Sequence, residues 1–594
     1  MSTTSNEATH GSAPGEKGLK GGSLGLVSSI VVGMASTAPA YSLAASLGLV
    51  VVALGPDGMK APAIMLVAFI PMYFIAVAYQ EMNKAEPDCG TTFTWATRTF
   101  GPWVGWMGGW GIIAADVIVM ANLAQVAGSY SFYFLGELGF TNIAELGDSV
   151  FWSTVAGLLW IAVMTWICFR GIEVSARVQY ALLGIEVIVL FLFAAVALVK
   201  VYTGNAESYS LTPELSWFWP GGLDIGTVVA PALLAAVFIY WGWDTAVACN
   251  EEAEDPSTTP GRAAVISTVL LLVTYALVTV AAIAFAGIGT EGVGLGNPAN
   301  SADVFGAIGP DLFGDSTLGK IGLLLLSASI LTSASASTQT TILPTARTAL
   351  SMAAYRAIPQ KFARIHDSYL TPTWATIGMG VVSAAFYLLF TLVSQNLLLA
   401  LISSVGLMIA FYYGLTGFAC AWFYRKTFMK NGRDFVMRFL LPLLGGIILF
   451  VAFFYALKVY ADPTWITDEN DEPITIFGIG AVAVVGVGAL ILGVILMVWQ
   501  RVATPAFFKG ETLPMKSHDL ILVPAGHEPI FEGSPQPDSA LVPTVLAPDL
   551  SNLPEGAQVY DPVADRILSE EEVEAIEEEA EAPAPSAGEK PDEN

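Results

Sequence analysis

Three acidic residues, Asp116, Glu186 and Asp244, lie deep inside long apolar runs of a 594-residue chain, and no lysine or arginine lies at comparable depth. A charged side chain at the centre of a bilayer costs roughly 2.5–3.5 kcal/mol even on the most lenient scale. Residues of this kind hold cations, carry protons or anchor polar networks, so a cavity that they line favours positive charge. Asp116 follows "GGWGIIAA" near mid-depth; it either holds a substrate amine or hydrogen-bonds a neighbouring helix. Asp244 stands in "FIYWGWDTAVACNEE" beside Gly242, a residue that costs a helix about 1 kcal/mol against alanine. It either contacts substrate or braces the chain where that helix breaks. Tyr240, Trp241 and Trp243 offer aromatic faces that close over a cation, with Trp241 as the gate, or they are packing. Glu186 lies about eight residues into its run, on the order of 12 Å along a helix. The eighth run carries "SASILTSASASTQTT", in which Thr332 with Ser333, or Ser335 with Ser337, can supply oxygen ligands to a sodium ion. Alternatively its small residues serve close helix packing, and Glu186 carries a proton.

The elements that must position these groups are membrane helices. The chain is 54% hydrophobic and 13% charged, with mean hydropathy +0.63, against about a quarter charged in soluble domains. Twelve runs reach the length of about 20 apolar residues needed to span a bilayer: roughly 24–54, 61–83, 102–136, 150–169, 178–200, 228–250, 263–288, 318–346, 374–393, 397–424, 437–459 and 475–500. With the N-terminus in the cytoplasm, inner segments hold 16 Lys/Arg and outer loops only Lys60, Lys200, Lys320 and Lys458. That bias places both termini inside. Residues 1–23 are expected to be a disordered cytoplasmic leader and not a signal peptide. From Arg501 the composition turns Pro-rich and acidic: 20 Asp/Glu against 5 Lys/Arg give −15 of the net −26. This 501–594 tail is expected to be mostly disordered, with "DLILVPAGHEPIFEG" either folding locally, docking on the helices or acting as a linker. Four cysteines without metal spacing and four histidines outside the apolar runs argue against disulfides and against a histidine metal site or proton relay. No nucleophile–base pair or phosphate-cradling loop points to an enzyme.

Two runs are interrupted. In the first, Gly33 and Pro39 bracket Ser36, Thr37 and Ala38, and proline removes a backbone hydrogen bond and clashes with the preceding turn. The sixth breaks at Trp241-Gly242-Trp243-Asp244. The sixth run comes five helices after the first, an odd offset, so the broken helices run in opposite directions. That is the pattern of an inverted repeat, residues 24–200 and 228–424, with unwound backbone at mid-membrane around a substrate; residues 437–500 add two helices.

Four stretches carry a resemblance. "YQEMNKAEPDCGTTFTWATRTFGPWVGWMGGW" is similar to the helix 2–3 loop, "RGIEVSARVQYALLGIEV" to the helix 4–5 turn, "FIYWGWDTAVACNEEAEDPSTTPGRAAV" to helix 6 and its loop, and "RTALSMAAYRAIPQKFARIH" to the helix 8 end, of the amino acid, polyamine and organocation (APC) superfamily permeases. The resemblance implies an all-α polytopic membrane protein of twelve helices with a LeuT-like 5+5 inverted repeat and broken helices 1 and 6. It also implies a secondary transporter importing neutral or cationic amino acids, with a proton or sodium ion as coupling ion and no other cofactor. Substrate contacts would come from Gly33, Ser36, Thr37, Ala38, Asp116, Tyr240, Trp241, Gly242 and Asp244; ion coupling would involve Glu186, Thr332, Ser333, Ser335 and Ser337. Two positions depart from the pattern. Ser36-Thr37-Ala38-Pro39 stands where such permeases commonly have a Gly-x-Gly for the substrate carboxylate. Glu186 stands eleven residues after Ser175, where some proton-coupled members have lysine. An amine or polyamine carrier of the same fold is the alternative; from another class, a sensor or channel whose acidic tail recruits a cytoplasmic partner. Partners besides the tail's are the small-molecule substrate and lipid, with no nucleic acid. Glu81, Arg98, Glu251, Glu252 and Arg347, at cytoplasmic helix ends, are expected to anchor loops.

Overall fold

The computed structural model describes residues 17–515 apart from 394, 466, 468–471 and 514, and from the tail residues 521–523, 545–546, 558–561, 566–569 and 573. The leader before residue 17 and most of the tail, with the expectations of disorder made for them, lie outside the described residues. The chain forms two compact units, residues 1–424 with 431–515, and 425–430 with 516–594.

The first unit is helical. In chain order its helices are α1 (Leu26–Ser36), α2 (Pro39–Leu54), α3 (Ala61–Ala85), α4 (Thr92–Phe100), α5 (Pro102–Glu137), α6 (Thr141–Ala144), α7 (Val150–Phe169), α8 (Ile172–Tyr202), α9 (Ala230–Phe238), α10 (Thr245–Ala248), α11 (Thr259–Ala286), α12 (Val304–Phe313), α13 (Thr317–Ala354), α14 (Thr373–Val393), α15 (Gln395–Phe423), α16 (Gly432–Asp434), α17 (Leu441–Tyr460), α18 (Ala481–Ala503) and α19 (Pro505–Phe508). Each of the twelve apolar runs contains helix, but the last, 475–500, opens with a hairpin and becomes helical only from Ala481. Ten stretches among the described residues are long and apolar enough to cross a membrane. The difference from twelve has two local causes: the first stretch, Leu26–Ala85, takes in α1, α2 and α3 together, and the sixth run is cut too short by its break to count as one. A two-stranded hairpin, β1 (Thr475–Ile476) with β2 (Ile479–Gly480), precedes α18.

Burial divides the helices by role. The broken helices α1–α2 and α9–α10 pack against α3, α8, α11, α13 and α15. The outer helices keep apolar residues exposed: Leu159 and Trp166 on α7, Val381 and Leu389 on α14, Val451 and Phe454 on α17, Ile491 and Ile495 on α18. Such faces are costly in water and suited to hydrocarbon.

After α18 the chain turns back onto the helices. Phe507 stacks on Phe93 with ring centres 5.4 Å apart, Phe508 packs on Trp103 at 5.1 Å, and the Thr512 hydroxyl donates to the Tyr355 carbonyl at 2.5 Å. In the second unit, β3 (Ile521–Val523), β4 (Val545–Leu546), β5 (Gln558–Asp561) and β6 (Arg566–Ile567) form an antiparallel sheet in the order β4-β3-β5-β6. Ile521–Val523 falls in the apolar tail stretch, the rest of which lies outside the described residues.

Candidate functional site

The first break is built by three residues. α1 ends at Ser36, Thr37 turns its hydroxyl back to the Met34 carbonyl at 2.7 Å, and Ala38 adopts φ 46°, ψ 64° before Pro39 opens α2. A left-handed alanine costs about 1–2 kcal/mol, and proline at the first helical position has no N–H to leave unsatisfied. The next amides of α2 have partners from other helices. Ala40 N–H donates to Glu186 Oε1 on α8 at 2.7 Å, and Tyr41 N–H donates to Ser333 Oγ on α13 at 3.1 Å. Ser333 Oγ in turn donates to the same Glu186 oxygen at 2.7 Å.

The second break touches the first. Gly242 has φ +116°, and a Cβ there would lie 2.7 Å from the Ser36 carbonyl oxygen, so only glycine admits this approach. The Ser36 hydroxyl bonds Thr245 at 2.8 Å, and Ser337 Oγ donates to the Ser36 carbonyl at 3.0 Å. Gly33 has a packing role: a Cβ there would meet Ser267 Oγ at 2.9 Å and the Trp243 carbonyl at 3.3 Å. The Tyr275 hydroxyl on α11 donates to the Ile239 carbonyl at 2.7 Å, which holds the frayed end of α9.

Asp244 is clamped by two tyrosines of α15: Tyr413 donates to Oδ1 at 2.8 Å and Tyr412 to Oδ2 at 3.1 Å. The Trp241 indole N–H donates to the Tyr412 hydroxyl, and the Tyr240 hydroxyl donates to the Met65 carbonyl at 3.1 Å. Asp116 accepts a hydrogen bond from Thr345 on α13 and lies close enough to Asp244 for their charges to interact. All three acids are buried, 4%, 0% and 6% exposed in chain order. They divide into two groups. Asp116 and Asp244 face the α15 tyrosines, whereas Glu186 caps α2.

Of the hydroxyls on α13, Ser333 and Ser337 face the first break. Thr332 bonds the Ser329 carbonyl of its own helix at 3.1 Å, and Ser335 Oγ is buried with no hydrogen-bond partner. Sequence reasoning missed Tyr412, Tyr413, Thr345 and Tyr275. The adjacent tyrosines of "AFYYGLTG" in the tenth run were the available signal. Two neighbouring phenols in an apolar run need polar partners when buried.

The helix ends nearest the leader are tied by ions. Arg347 and Glu252, both fully buried, pair through two bonds of 2.8 Å. Glu81 receives Lys84, Arg433 and Arg438 at 2.8–3.0 Å, and Arg98 holds Glu86 at 2.6 Å. The leader adds a cation that sequence reasoning did not place: Lys17 Nζ lies 2.8 Å from Asp88 and 2.5 Å from Glu251, with all three side chains about 5% exposed. Asp88, Cys89 and Glu251 are the one group among the described residues with metal-ligand spacing, and the ammonium of Lys17 sits on two of them. Asp88 also accepts from the Gly90 amide, Thr94, Ser351 and Tyr355 at 2.7–2.9 Å. Burial alone would raise the Asp88 carboxyl, but Lys17 and these donors hold it down at about 2. Burial pulls the Lys17 ammonium down, and the facing acids more than reverse that. Backbone pairing completes the latch: the Ser23 and Leu24 amides donate to the Glu252 carbonyl at 2.8 and 3.0 Å.

A family model described as amino acid permease matches residues 24–484. The branched-chain amino acid permease BcaP of Lactococcus lactis subsp. cremoris is 26% identical over 217 residues, 36% of this chain and 45% of that protein. The chain thus spans less than half the length of that relative in the match. The large neutral amino acids transporter small subunit 2 of Mus musculus is 25% identical over 490 residues, 78% of this chain and 83% of that protein. Among solved structures, MhsT in complex with L-phenylalanine aligns with TM-score 0.51 at 16% identity, covering 72% of this chain and 98% of that one. At that identity the likeness speaks for the fold alone, a LeuT-type helical fold. With the family model covering most of the chain and ten apolar helical stretches among the described residues, this multi-pass membrane protein belongs to the amino acid permease family.

Proposed function

We propose that the protein is a secondary active transporter that imports amino acids across the cytoplasmic membrane by alternating access, with a proton carried on Glu186. The observation that carries this reading is the meeting of the two helix breaks, where Gly242 lies on the Ser36 carbonyl and the Glu186 carboxylate sits on the first free amide beyond the turn. Unwound backbone and half-helix ends give polar groups for a substrate's ammonium and carboxylate, and the relatives that match are transporters of branched-chain and large neutral amino acids by name. Twelve crossings in a 5+5 inverted repeat, with both termini cytoplasmic, complete the proposal. Asp116, Trp241 and Asp244 select the rest of the substrate, and the two bundles rock around the fixed pocket. The tail offers an acidic surface to a cytoplasmic partner.

The test is uptake into proteoliposomes under imposed pH or sodium gradients against a panel of amino acids and their decarboxylated amines. Accumulation of an amino acid driven by an inward proton gradient is expected. Drive by sodium alone would move the coupling role from Glu186 to an ion held with the α13 hydroxyls, and failure of every amino acid to accumulate would overturn the reading. A second reading, an amine carrier, rests on a specific observation: three buried acids line the interior, and Ser36-Thr37-Ala38-Pro39 presents no Gly-x-Gly. Uptake of amines alone would establish it.

A further inference from the structure

The amides that a half-helix offers to an anion are already taken in this protein. Pro39 has no N–H, Ala40 N–H is on Glu186 Oε1, and Tyr41 N–H is on Ser333 Oγ, which is itself bound to that oxygen. The Ser42 amide closes back on the Ala38 carbonyl at 2.8 Å. Glu186 is 0% exposed, and its second oxygen, Oε2, is buried with no hydrogen-bond partner. A carboxylate that is half satisfied at a positive helix end is in the seat where the carboxylate of an amino acid would bind.

We propose that Glu186 competes with the substrate carboxylate for the first turn of α2. In the ionised state Glu186 occupies the seat; when it takes a proton it releases the Ala40 amide, and the amino acid carboxylate replaces it. This inference rests on the amino acid reading above and states how the proton and the substrate are linked. The step is one protonation: a proton from the aqueous side adds to Oε2, the carboxylate becomes a neutral acid, and the negative charge lost there is restored by the incoming carboxylate. Two carboxylates sharing one dry set of amides repel each other strongly, so one of them must be neutral. Proton uptake and carboxylate binding thereby become one event.

The groups around Glu186 leave it the titrating residue at this place. From α2 comes Tyr41, whose hydroxyl donates to Asn122; from α11, Tyr275, whose hydroxyl is held by Ile239; α1 contributes no ionisable side chain. On α13, Arg347 is fourteen residues beyond Ser333 and paired with Glu252, and Lys320 lies at the opposite end. On α7 the ionisable group is Cys168, with its thiol on the Gln339 carbonyl. Asp116 and Asp244 bond to Thr345 and the α15 tyrosines. No ion pair reaches Glu186 among the described residues.

The experiment measures binding to the full chain in nanodiscs between pH 5 and 9. The probes are L-leucine, L-phenylalanine and L-lysine, each beside its decarboxylated amine: isoamylamine, phenethylamine and cadaverine. The expected result is that affinity for the amino acids falls about tenfold per pH unit once Glu186 ionises, that the amines show no such fall, and that Glu186→Gln binds the amino acids equally at every pH. Amino acid affinity that is flat from pH 5 to 9 in the unmodified protein overturns the competition while leaving the transport reading intact. So does a pH slope that persists in Glu186→Gln. Binding of the amines alone overturns both. Should Glu186→Gln fail to fold, the comparison of each amino acid with its amine in the unmodified protein decides by itself.

Discussion

Replacing Lys17 with methionine isolates the latch between the leader and the helix ends. The substitution keeps much of the side chain's volume and removes the ammonium from between Asp88 and Glu251. The magnitude follows from Asp88, whose carboxyl is held at about 2 against an ordinary 3.8, a preference for the charged form of about 2.5 kcal/mol. Lys17 is the strongest stabilising influence on that charge, acting against burial. Without it Asp88 retains four donors, but Glu251 keeps only the Cys89 amide, at 3.0 Å, and has an oxygen with no partner. Losing one charge-assisted contact of about 1.5 kcal/mol, the leader should therefore open more often by on the order of tenfold. Hydrogen–deuterium exchange read at the Ser23 and Leu24 amides, which donate to the Glu252 carbonyl, measures this directly. The pH dependence has a definite sign. Because the folded value for Asp88 is depressed, its contribution is fully present above pH 3.8 and is lost as pH falls through about 2. The Asp88 share of the protection, corrected for intrinsic exchange, should hold down to about pH 4 and weaken below it. Exchange in Lys17→Met within threefold of the unmodified protein would refute the reasoning.

Two further substitutions and a pair of truncations probe other parts of the structure. Gly242→Ala places a Cβ 2.7 Å from the Ser36 carbonyl at a φ of +116°; it should lower Tm and abolish uptake, and unaltered values of both would show that the breaks do not meet this way. Arg347→Ala leaves Glu252 charged and buried, so a loss of about 3–5 kcal/mol is expected, read as a large drop in Tm or in recovered folded protein. Truncation after Met515 should leave Tm unchanged, whereas truncation after Thr504 removes Phe507, Phe508 and Leu513 from their cluster with Phe93, Trp106 and Met352 and should lower Tm by several degrees; equal Tm values for the two would contradict the docking described.

The sequence was most informative where the rules are local. Apolar length alone located the membrane helices, ten stretches of which qualify among the described residues, and Pro39 and Gly242 marked the two breaks because each removes something a helix requires. Contacts between breaks were not legible, since nothing near Gly242 in the chain announces the Ser36 carbonyl 206 positions earlier. The same limit explains the division of the acids. Asp116, Glu186 and Asp244 look alike as buried charges in apolar runs, and only the packing of α13 and α15 assigns Thr345, Ser333 and the two tyrosines among them. The pairing of Lys17 was not legible, because its two acids, Asp88 and Glu251, lie 71 and 234 residues away.

Tyr355 gives the two ends of the helical unit a common address. Lys17 lies 5.5 Å above its ring and the Thr512 hydroxyl is bonded to its carbonyl, so segments nearly five hundred residues apart report on one spot. A pair of fluorophores attached just beside these two segments would act as a single-molecule ruler for this end of the helices: a swing of the last turn of α13 would drag, release or separate both labels at once.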